Sequence, residues 1–230
     1  MNTVLITGAN RGLGLEFVRS YAAEGWRVHA CCRHPDKAKA LTEIAEAGGD
    51  VVVHKLDVTD GLRVASLARA LADEPIDILI NNSGVFHKGA GEFGSVDFDA
   101  WVDELKVNTI APARMVERFV EQVAASERKL IVNISSSMGS IALTTSGDSM
   151  IYRSSKAGLN MVVKCLANTL AERGITVVAL SPGWVATDMG GATADLSTAE
   201  SIANMRKVID GLTPADSGGF YNHEGEPCPW

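Results

Sequence analysis

Short apolar runs rich in valine and isoleucine alternate along the chain with longer stretches in which apolar residues recur at helical spacing. Most of these runs are continuously apolar, which is typical of strands buried on both faces of a parallel sheet. Strands that alternate with helices form right-handed βαβ units, so the pattern predicts an α/β fold. The predicted strands are Val4–Thr7, Val28–Cys32, Val51–Leu56, Ile76–Asn81, Leu130–Ser135 and Thr176–Ser181.

The helical stretches complete the prediction of a Rossmann-like, doubly wound parallel sheet with helices on both faces. A single α/β domain often exceeds about 200 residues, so we expect one domain over residues 1–230. The small, polar segment Gly190–Ser201 predicts either a mobile flap or an ordinary surface loop. The predicted helices are Gly14–Glu24, Asp36–Ala47, Gly61–Asp73, Phe98–Ala125 with a junction near Asn108–Pro112, Tyr152–Arg173 and Ala199–Gly211.

Composition excludes several functional classes. The formal net charge of −7 argues against a surface that binds nucleic acid, although it permits a local basic site for a phosphorylated cofactor. The four cysteines form no CxxC pair, so we expect reduced thiols in a cytoplasmic protein. The start, MNTVLITGAN, lacks the features of a signal peptide, and no apolar run approaches the roughly 20 residues of a membrane helix. The histidines show no ligand spacing, so we predict no metal site.

A glycine-rich loop, TGANRGLG, follows the first predicted strand and places Gly8, Gly12 and Gly14 where strand turns to helix. Glycine permits positive φ and lets the backbone approach a pyrophosphate closely. The helix that follows offers free N–H groups and the positive end of its dipole to such an anion. Because the spacing is GxxxGxG rather than GxGxxG, a tight turn without a ligand is the alternative. The flanking strand and helix favour a dinucleotide site.

The end of the second predicted strand bears on which nicotinamide cofactor binds. An NAD-type protein places an acidic residue there to hold the ribose 2′-hydroxyl. This chain has Arg33 instead, with Lys37 nearby and Arg11 in the glycine loop. Guanidinium groups bind a 2′-phosphate bidentately, so we favour NADP(H), with NAD(H) as the alternative. Asp36 lies near the position of an NAD-type acid, but it follows a proline and suits a helix N-terminus.

Polar residues follow two further strands. LDVT places Asp57 and Val58 after the third strand, where a carboxylate can accept a hydrogen bond from an adenine amino group. NNSG places Asn82, Ser83 and Gly84 after the fourth strand. Ligands of open α/β sheets bind at the carboxyl ends of strands, which favours a binding role. Turn formation is the alternative, because Asx residues and glycine commonly make turns.

Tyr152 and Lys156 are four residues apart at the start of a predicted helix, so their side chains share one face. A lysine ammonium close to a phenol favours the phenolate, and the spacing therefore predicts a lowered tyrosine pKa. A tyrosine tuned in this way can exchange a proton near neutral pH. The pair by itself also occurs by chance on many helices.

Taken in order, the glycine loop, Asp57, NNSG, Asn108, the serine run after VNI, YRSSK and SPGWVATDM resemble the short-chain dehydrogenase/reductase superfamily. The resemblance covers essentially the whole chain. Within the superfamily the chain most resembles the C-factor and sniffer-type carbonyl reductases, through SSSMGSIALTTSGDSMIYRSSK and the C-terminal GGFYNHEGEPCPW. Two departures are NNSG in place of the usual NNAG and a slightly longer segment between Ser136 and Tyr152.

The resemblance implies four catalytic residues. Tyr152 would be the general acid in reduction, and Lys156 would lower its pKa and hold the nicotinamide ribose. Asn108 would anchor a water that relays protons toward Lys156. Ser136 would hydrogen-bond the substrate carbonyl oxygen, with Ser137 as the fallback. The implied cofactor-binding residues are Gly8, Asn10, Arg11, Gly12, Leu13, Gly14, Arg33, Asp57, Val58, Asn82, Ser83, Gly84, Tyr152, Lys156, Pro182, Gly183, Val185 and Thr187.

The resemblance further implies reversible hydride transfer between NADP(H) and a small carbonyl or alcohol substrate. Residues 190–212 would form a flap and short helix near the substrate pocket. A homodimer or homotetramer is expected through the helices Thr109–Ala125 and Tyr152–Arg173, although some carbonyl-reductase relatives are monomers. The alternative from another functional class is a cofactor-binding signalling protein of the C-factor type. The complete catalytic set argues against that alternative, because a sensor without turnover has no need of it.

Overall fold

The computed structural model describes all of residues 1–230. Its seven strands are β1 Thr3–Thr7, β2 Arg27–Cys32, β3 Val51–Lys55, β4 Ile78–Asn81, β5 Leu130–Ile134, β6 Thr176–Leu180 and β7 Phe220–Tyr221. They form one sheet in the order β3-β2-β1-β4-β5-β6-β7. Every neighbouring pair is parallel, as the continuously apolar runs predict.

Helices cover both faces of this sheet over two separate apolar clusters. Leu5 of β1 points into one cluster, while its neighbours Val4 and Ile6 point into the other. The first cluster lies under the helices Gly61–Ala70, Ala111–Ala124 and Met150–Leu170, and the second lies under the helices Gly12–Ala23, Lys39–Glu46 and Thr198–Gly211. The predicted doubly wound fold is therefore confirmed. The helices are α1 Gly12–Ala23, α2 Lys39–Glu46, α3 Gly61–Ala70, α4 Phe98–Leu105, α5 Ala111–Ala124, α6 Met150–Leu170 and α7 Thr198–Gly211.

The direction of winding reverses between β1 and β4, and this reversal positions the functional site. From β1 the chain adds β2 and β3 on one side, whereas β4 pairs with the other side of β1 and continues outward. The loops that follow β1 and β4 therefore diverge and leave a crevice at the carboxyl edge of the sheet. The glycine loop and the NNSG segment are these two loops.

The structure differs from the sequence prediction mainly at short elements and helix ends. The sequence prediction missed β7, whose two residues are too few for any periodicity. A 3₁₀ turn over Pro35–Lys37 precedes α2, because proline starts a helical turn readily. A π-helical turn over Lys106–Ile110 joins α4 to α5 and confirms the predicted junction near Asn108. None of the helices is long and apolar enough to span a membrane.

Candidate active site

A cavity of about 490 Å³ occupies the crevice at the carboxyl edge of the sheet. Its volume lies within the range of cofactor and small-molecule sites, about 300–1,000 Å³. Most of the residues predicted to bind a cofactor line this cavity. They are Gly8, Asn10, Arg11, Gly12, Leu13, Gly14, Arg33, Asp57, Val58, Asn82, Ser83, Gly84, Tyr152, Lys156, Pro182 and Thr187.

The glycine loop passes so close to its neighbours that side chains are excluded at two positions. A Cβ on Gly14 would lie 2.2 Å from the Gly8 carbonyl oxygen, and Gly8 itself has a φ of 67°. A Cβ on Gly8 would lie 3.1 Å from the Cα of Ser83. No side chain caps the start of α1, so its first N–H groups lack a side-chain partner, and Gly12, Leu13 and Gly14 at this end line the cavity. This cradle fits the pyrophosphate of a dinucleotide.

Asn82 and Thr7 tie the two loops of the crevice together. The Thr7 hydroxyl accepts hydrogen bonds from the backbone N–H groups of Asn82 and Ser83, each at 3.0 Å. The Asn82 side-chain amide donates to the Thr7 carbonyl at 2.9 Å and also contacts the Gly8 carbonyl at 3.3 Å. In this structure the Asn82 side chain therefore holds the glycine loop in shape, while the residue also lines the cavity.

The far end of the cavity carries Arg33 and Asp57. Asp57 Oδ1 accepts from the Thr59 hydroxyl at 2.6 Å and from the Thr59 N–H at 2.9 Å. Burial acts to raise the pKa of Asp57, but these hydrogen bonds and the nearby Arg33 outweigh it and hold the pKa below its usual value. Asp57 is therefore a fixed, ionised acceptor, and Arg33 is an exposed cation beside it.

Arg11 reaches across the mouth of the cavity. Its guanidinium forms a hydrogen-bonded ion pair with Asp188, in the segment that follows β6. Both side chains are exposed, so water screens the pair and its energy is small, at most about 1 kcal/mol. The methyl group of Thr187 lies against Gly12, where a Cβ would come within 3.5 Å. The glycine loop and the segment Thr187–Asp188 thus meet over the centre of the cavity.

Tyr152 and Lys156 are both buried on the cavity wall, at 7% and 4% exposure. The Lys156 ammonium donates to the Ile134 carbonyl at 2.9 Å and lies 5.8 Å from the centre of the Tyr152 ring. Burial lowers the pKa of Lys156 to about 8, against the opposing effect of Glu104. At neutral pH most of the Lys156 amines are therefore protonated.

The prediction of a lowered Tyr152 pKa is wrong for this structure. Burial, and after it the charge of Glu104, raise the pKa of Tyr152 to about 12, and only the nearby Ser136 hydroxyl acts to lower it. Lys156 does not offset this rise, because its ammonium donates to the Ile134 carbonyl rather than to the phenol oxygen. The four-residue spacing predicted that Tyr152 and Lys156 share one face of the helix. It could not show that Lys156 donates to the Ile134 carbonyl.

Three consecutive serines after β5 have different environments. Ser136 is partly exposed, and its hydroxyl accepts from the Met138 N–H at 3.2 Å and interacts with Tyr152. Ser135 is buried and donates to Asn160 at 2.6 Å. The Ser137 side chain is exposed, and its backbone N–H donates to the Ser181 hydroxyl. Ser136 is therefore the serine placed beside Tyr152, which supports its predicted role over the fallback.

Asn108 lies fully buried in the π-helical turn behind the cavity. Its side-chain oxygen accepts from the Val85 N–H, and its amide donates to the Val85 carbonyl and the Ser155 hydroxyl, all at 2.9 Å. A Cβ added to Gly84 would lie 3.4 Å from the Asn108 oxygen and 3.7 Å from the Lys156 ammonium. The Asn108 side chain thus clamps two segments together, and its predicted water relay stays a prediction.

Gly183 and Val185 lie outside the cavity wall, unlike the other residues predicted to bind the cofactor. Val185 is buried at 5% exposure and forms an isolated bridge with Leu196. Gly183 has a φ of 81°, and a Cβ there would lie 2.7 Å from the Leu196 side chain. In this structure both residues shape the segment that carries Pro182 and Thr187.

Sequence reasoning missed several residues around the catalytic pair. Glu104 was missed because acidic residues on helices are usually solvated, and only packing shows that it is buried. Phe86 packs on Tyr152 with ring centres 4.7 Å apart. Met189, in the segment after β6, lies with its sulfur 4.0 Å from the Tyr152 hydroxyl. Side chains that line the cavity without having been predicted include Leu15, Arg19, Cys32, Val107, Ile134, Ala186 and Thr198.

The sheet reversal, the glycine cradle and the buried Tyr152–Lys156 pair together define an NAD(P)-dependent oxidoreductase. The family model for short chain dehydrogenases matches residues 2–197, and the chain belongs to this family. The chain is 38% identical over 156 residues to the C-signal protein of Myxococcus xanthus, an alignment that covers 68% of this chain and 93% of that protein. No group of three or more histidine, cysteine or acidic side chains is arranged to hold a metal ion.

Two solved structures share the whole fold. One is the NADPH-bound carbonyl reductase from chicken fatty liver, at 35% identity and a TM-score of 0.93. The match covers 100% of this chain and 99% of that one. The other is the carbonyl reductase Sniffer of D. melanogaster, at 31% identity and a TM-score of 0.95, with both chains covered completely. These likenesses agree with the predicted subgroup.

Proposed function

We propose that the protein is an NADP(H)-dependent reductase of carbonyl compounds that also oxidises the corresponding alcohols. One observation supports this most strongly. A single cavity has the glycine loop and Arg33 in its wall together with the buried Tyr152 and Lys156, and Ser136 lies beside Tyr152. The NADPH-bound carbonyl reductase with the same fold supports the choice of cofactor.

The residues present fit a nicotinamide dinucleotide. The glycine cradle would hold the pyrophosphate, Asp57 the adenine, Arg33 the 2′-phosphate and Lys156 the nicotinamide ribose. When bound, this cofactor supplies or accepts the hydride. The contribution of the protein is to orient the substrate and to stabilise the charge that develops on its oxygen.

Tyr152 and Ser136 would both donate hydrogen bonds to the substrate carbonyl oxygen. With its pKa raised, Tyr152 holds its proton at neutral pH and can donate it to the oxygen during reduction. The Ser136 hydroxyl would donate a second hydrogen bond to the same oxygen. A protonated Lys156 would stabilise the phenolate that remains after the transfer. In the oxidative direction the same phenolate would accept the alcohol proton.

The substrate class follows from the side chains around Tyr152. Phe86 packs on its ring and Met189 lies over its hydroxyl. Ile141 and Trp184 are large apolar residues left 78% and 50% exposed in the segments that flank the site. Such surfaces favour apolar ketones, quinones and aldehydes over charged substrates. A panel of such carbonyls, assayed for oxidation of NADPH and of NADH, tests both the activity and the cofactor preference.

Replacement of Arg33 by alanine tests the cofactor assignment. We expect the KM for NADPH to rise about tenfold or more, because a charge-assisted hydrogen bond to phosphate contributes about 1.5–3 kcal/mol. The KM for NADH should stay close to the wild-type value, since NADH has no 2′-phosphate. Exposed Lys55 on β3 provides a matched control, and Lys55→Ala should change neither value. An equal rise in the KM for NADPH and in the KM for NADH would contradict the proposed role of Arg33.

A signalling role is the second candidate, and the similarity to the C-signal protein favours it. The complete set of Asn108, Ser136, Tyr152 and Lys156 favours turnover, because binding alone requires no proton donor. A carbonyl panel without turnover, combined with tight NADPH binding, would favour signalling.

We also propose that the protein forms a homodimer or homotetramer in the cytoplasm. Val102 on α4, Ile110 beside α5 and Met161 on α6 are large apolar residues that are 47%, 49% and 65% exposed. Burial of such surfaces stabilises association. The buried Cys31 and Cys32 are free thiols, which suits a reducing compartment. Sedimentation equilibrium measures the oligomeric state, and a monomer at micromolar concentration would contradict the proposal.

A further inference from the structure

A carboxylate with no solvent exposure lies inside the protein near the catalytic pair. Glu104, on α4, has a side chain that is 0% exposed. Its Oε1 accepts from the His87 N–H at 2.6 Å and lies 3.3 Å from His87 Nδ1. Its Oε2 is buried and has no hydrogen-bond partner. Burial raises the pKa of Glu104, while the hydrogen bonds and charge of His87 and the charge of Lys156 oppose that rise and favour the carboxylate.

Glu104 also holds the segment Val85–His87, which covers Tyr152. It fixes the backbone of His87 at one end, while Asn108, one helical turn later, fixes both backbone groups of Val85. Phe86 lies between these anchors, with its ring 4.7 Å from the ring of Tyr152. The positions of Glu104 and Asn108 therefore set how Phe86 packs on the phenol.

Charged and titratable groups face Glu104 from three elements. His87 lies in the loop after β4, and its Nε2 is 3.5 Å from Asp103 on α4. Tyr152 and Lys156 lie on α6, which packs on α4, the helix that carries Glu104. The carboxylate opposes the fall in the Lys156 pKa that burial causes, and it adds to the rise in the Tyr152 pKa. The charge of Glu104 thus affects the pKa of both Tyr152 and Lys156.

We propose that Glu104 is a positioning residue for the active site, with a buried negative charge that keeps Lys156 protonated and a hydrogen bond that holds Phe86 against Tyr152. The catalytic consequence rests on the proposed function, because it assumes that Tyr152 and Lys156 perform the proton transfer. The electrostatic consequence does not depend on turnover. Two variants separate charge from size: Glu104→Gln keeps the acceptor for His87 without the charge, and Glu104→Asp keeps the charge on a shorter side chain.

The charge is tested by titration of the Lys156 amine in the whole protein, with ¹⁵N-labelled lysine and NMR, and with Lys156→Gln to assign the signal. In Glu104→Gln we expect the midpoint to fall by about one pH unit, which corresponds to the loss of about 1.4 kcal/mol of favourable interaction with the ammonium. Removal of a negative charge disfavours the ammonium, so the direction is downward. Glu104→Asp should stay near the wild-type midpoint. Glu117→Gln, which alters an exposed carboxylate on α5, is the matched control and should leave the midpoint unchanged.

An unchanged midpoint in Glu104→Gln would overturn the proposal whatever the enzyme activity, because Glu104 would then be neutral or too distant. An equal fall in Glu104→Asp would assign the effect to side-chain size and would also overturn it. Absence of turnover in the wild-type protein, together with a shifted midpoint in Glu104→Gln, would contradict the proposed function and leave the charge role of Glu104 intact.

The kinetic measurement is the pH profile of kcat/KM for carbonyl reduction. Without the Glu104 charge the pKa of Tyr152 falls, so the proton-donating form is lost at a lower pH. We therefore expect the alkaline limb of the Glu104→Gln profile to lie at lower pH than that of the wild-type protein. A uniform loss of rate with an unmoved limb would indicate a purely structural residue and would contradict the proposal.

Discussion

Replacement of Tyr152 by phenylalanine is expected to lower kcat for carbonyl reduction by about 10²–10⁴-fold, the usual contribution of a general acid. The change removes the proton donor and leaves the aromatic ring that packs on Phe86. Cofactor binding should stay within about twofold of wild type, because phenylalanine keeps the aromatic ring in the cavity wall and removes only the hydroxyl. Steady-state kinetics and NADPH fluorescence titration measure the two quantities on the same preparation.

Tyr221→Phe is the matched control for this variant. Tyr221 donates its hydroxyl to Asp216 at 3.2 Å and does not line the cavity. Loss of the Tyr221 hydroxyl should leave kcat close to the wild-type value. Wild-type reductase activity in Tyr152→Phe would show that another group donates the proton. A large loss of NADPH binding in the same variant would show that Tyr152 serves mainly to hold the cofactor.

Replacement of Gly14 by alanine is expected to destabilise the protein and weaken cofactor binding together. The new methyl group would lie 2.2 Å from the Gly8 carbonyl oxygen and 2.6 Å from the Asn82 amide, so α1 or the glycine loop must move. Overpacking of this kind costs about 1–3 kcal/mol, which lowers the melting temperature by about 2–12 °C in a chain of this size. Loss of one charge-assisted bond to the pyrophosphate should raise the Kd for NADPH about tenfold or more.

Gly211→Ala isolates the steric effect from the change in helix propensity. Gly211 is the last residue of α7, and a Cβ there meets no atom within 4 Å. This variant should be neutral or slightly stabilising, since alanine is favoured over glycine in helices by up to about 1 kcal/mol. Thermal unfolding and NADPH titration of both variants provide the comparison. A Gly14→Ala variant with wild-type stability would contradict the close approach of loop and helix.

The site was predictable where a motif is contiguous and its backbone geometry is stereotyped. Gly8, Gly12 and Gly14 are close in sequence, and glycine alone suits the turn and the close contact that they make. Asn108 marks a helix junction that the structure realises as a π-helical turn. The pKa of Tyr152 was not predictable, because it depends on burial and on Glu104, which is 48 positions earlier in the chain.

The architecture and the candidate residues at the centre of the site are predictable from the sequence alone. The fold follows from continuously apolar strands, which are buried only when helices cover both faces of the sheet. The candidate site residues follow from short motifs at strand ends. The electrostatics of the site and the shape of the cavity walls arise only in the folded protein, where the packing of distant segments sets them. Packing has three such effects here. It buried Glu104, paired Lys156 with the Ile134 carbonyl, and brought Phe86 and Met189 onto Tyr152. Desolvation and contact across distant segments depend on three-dimensional packing, which local periodicity does not encode.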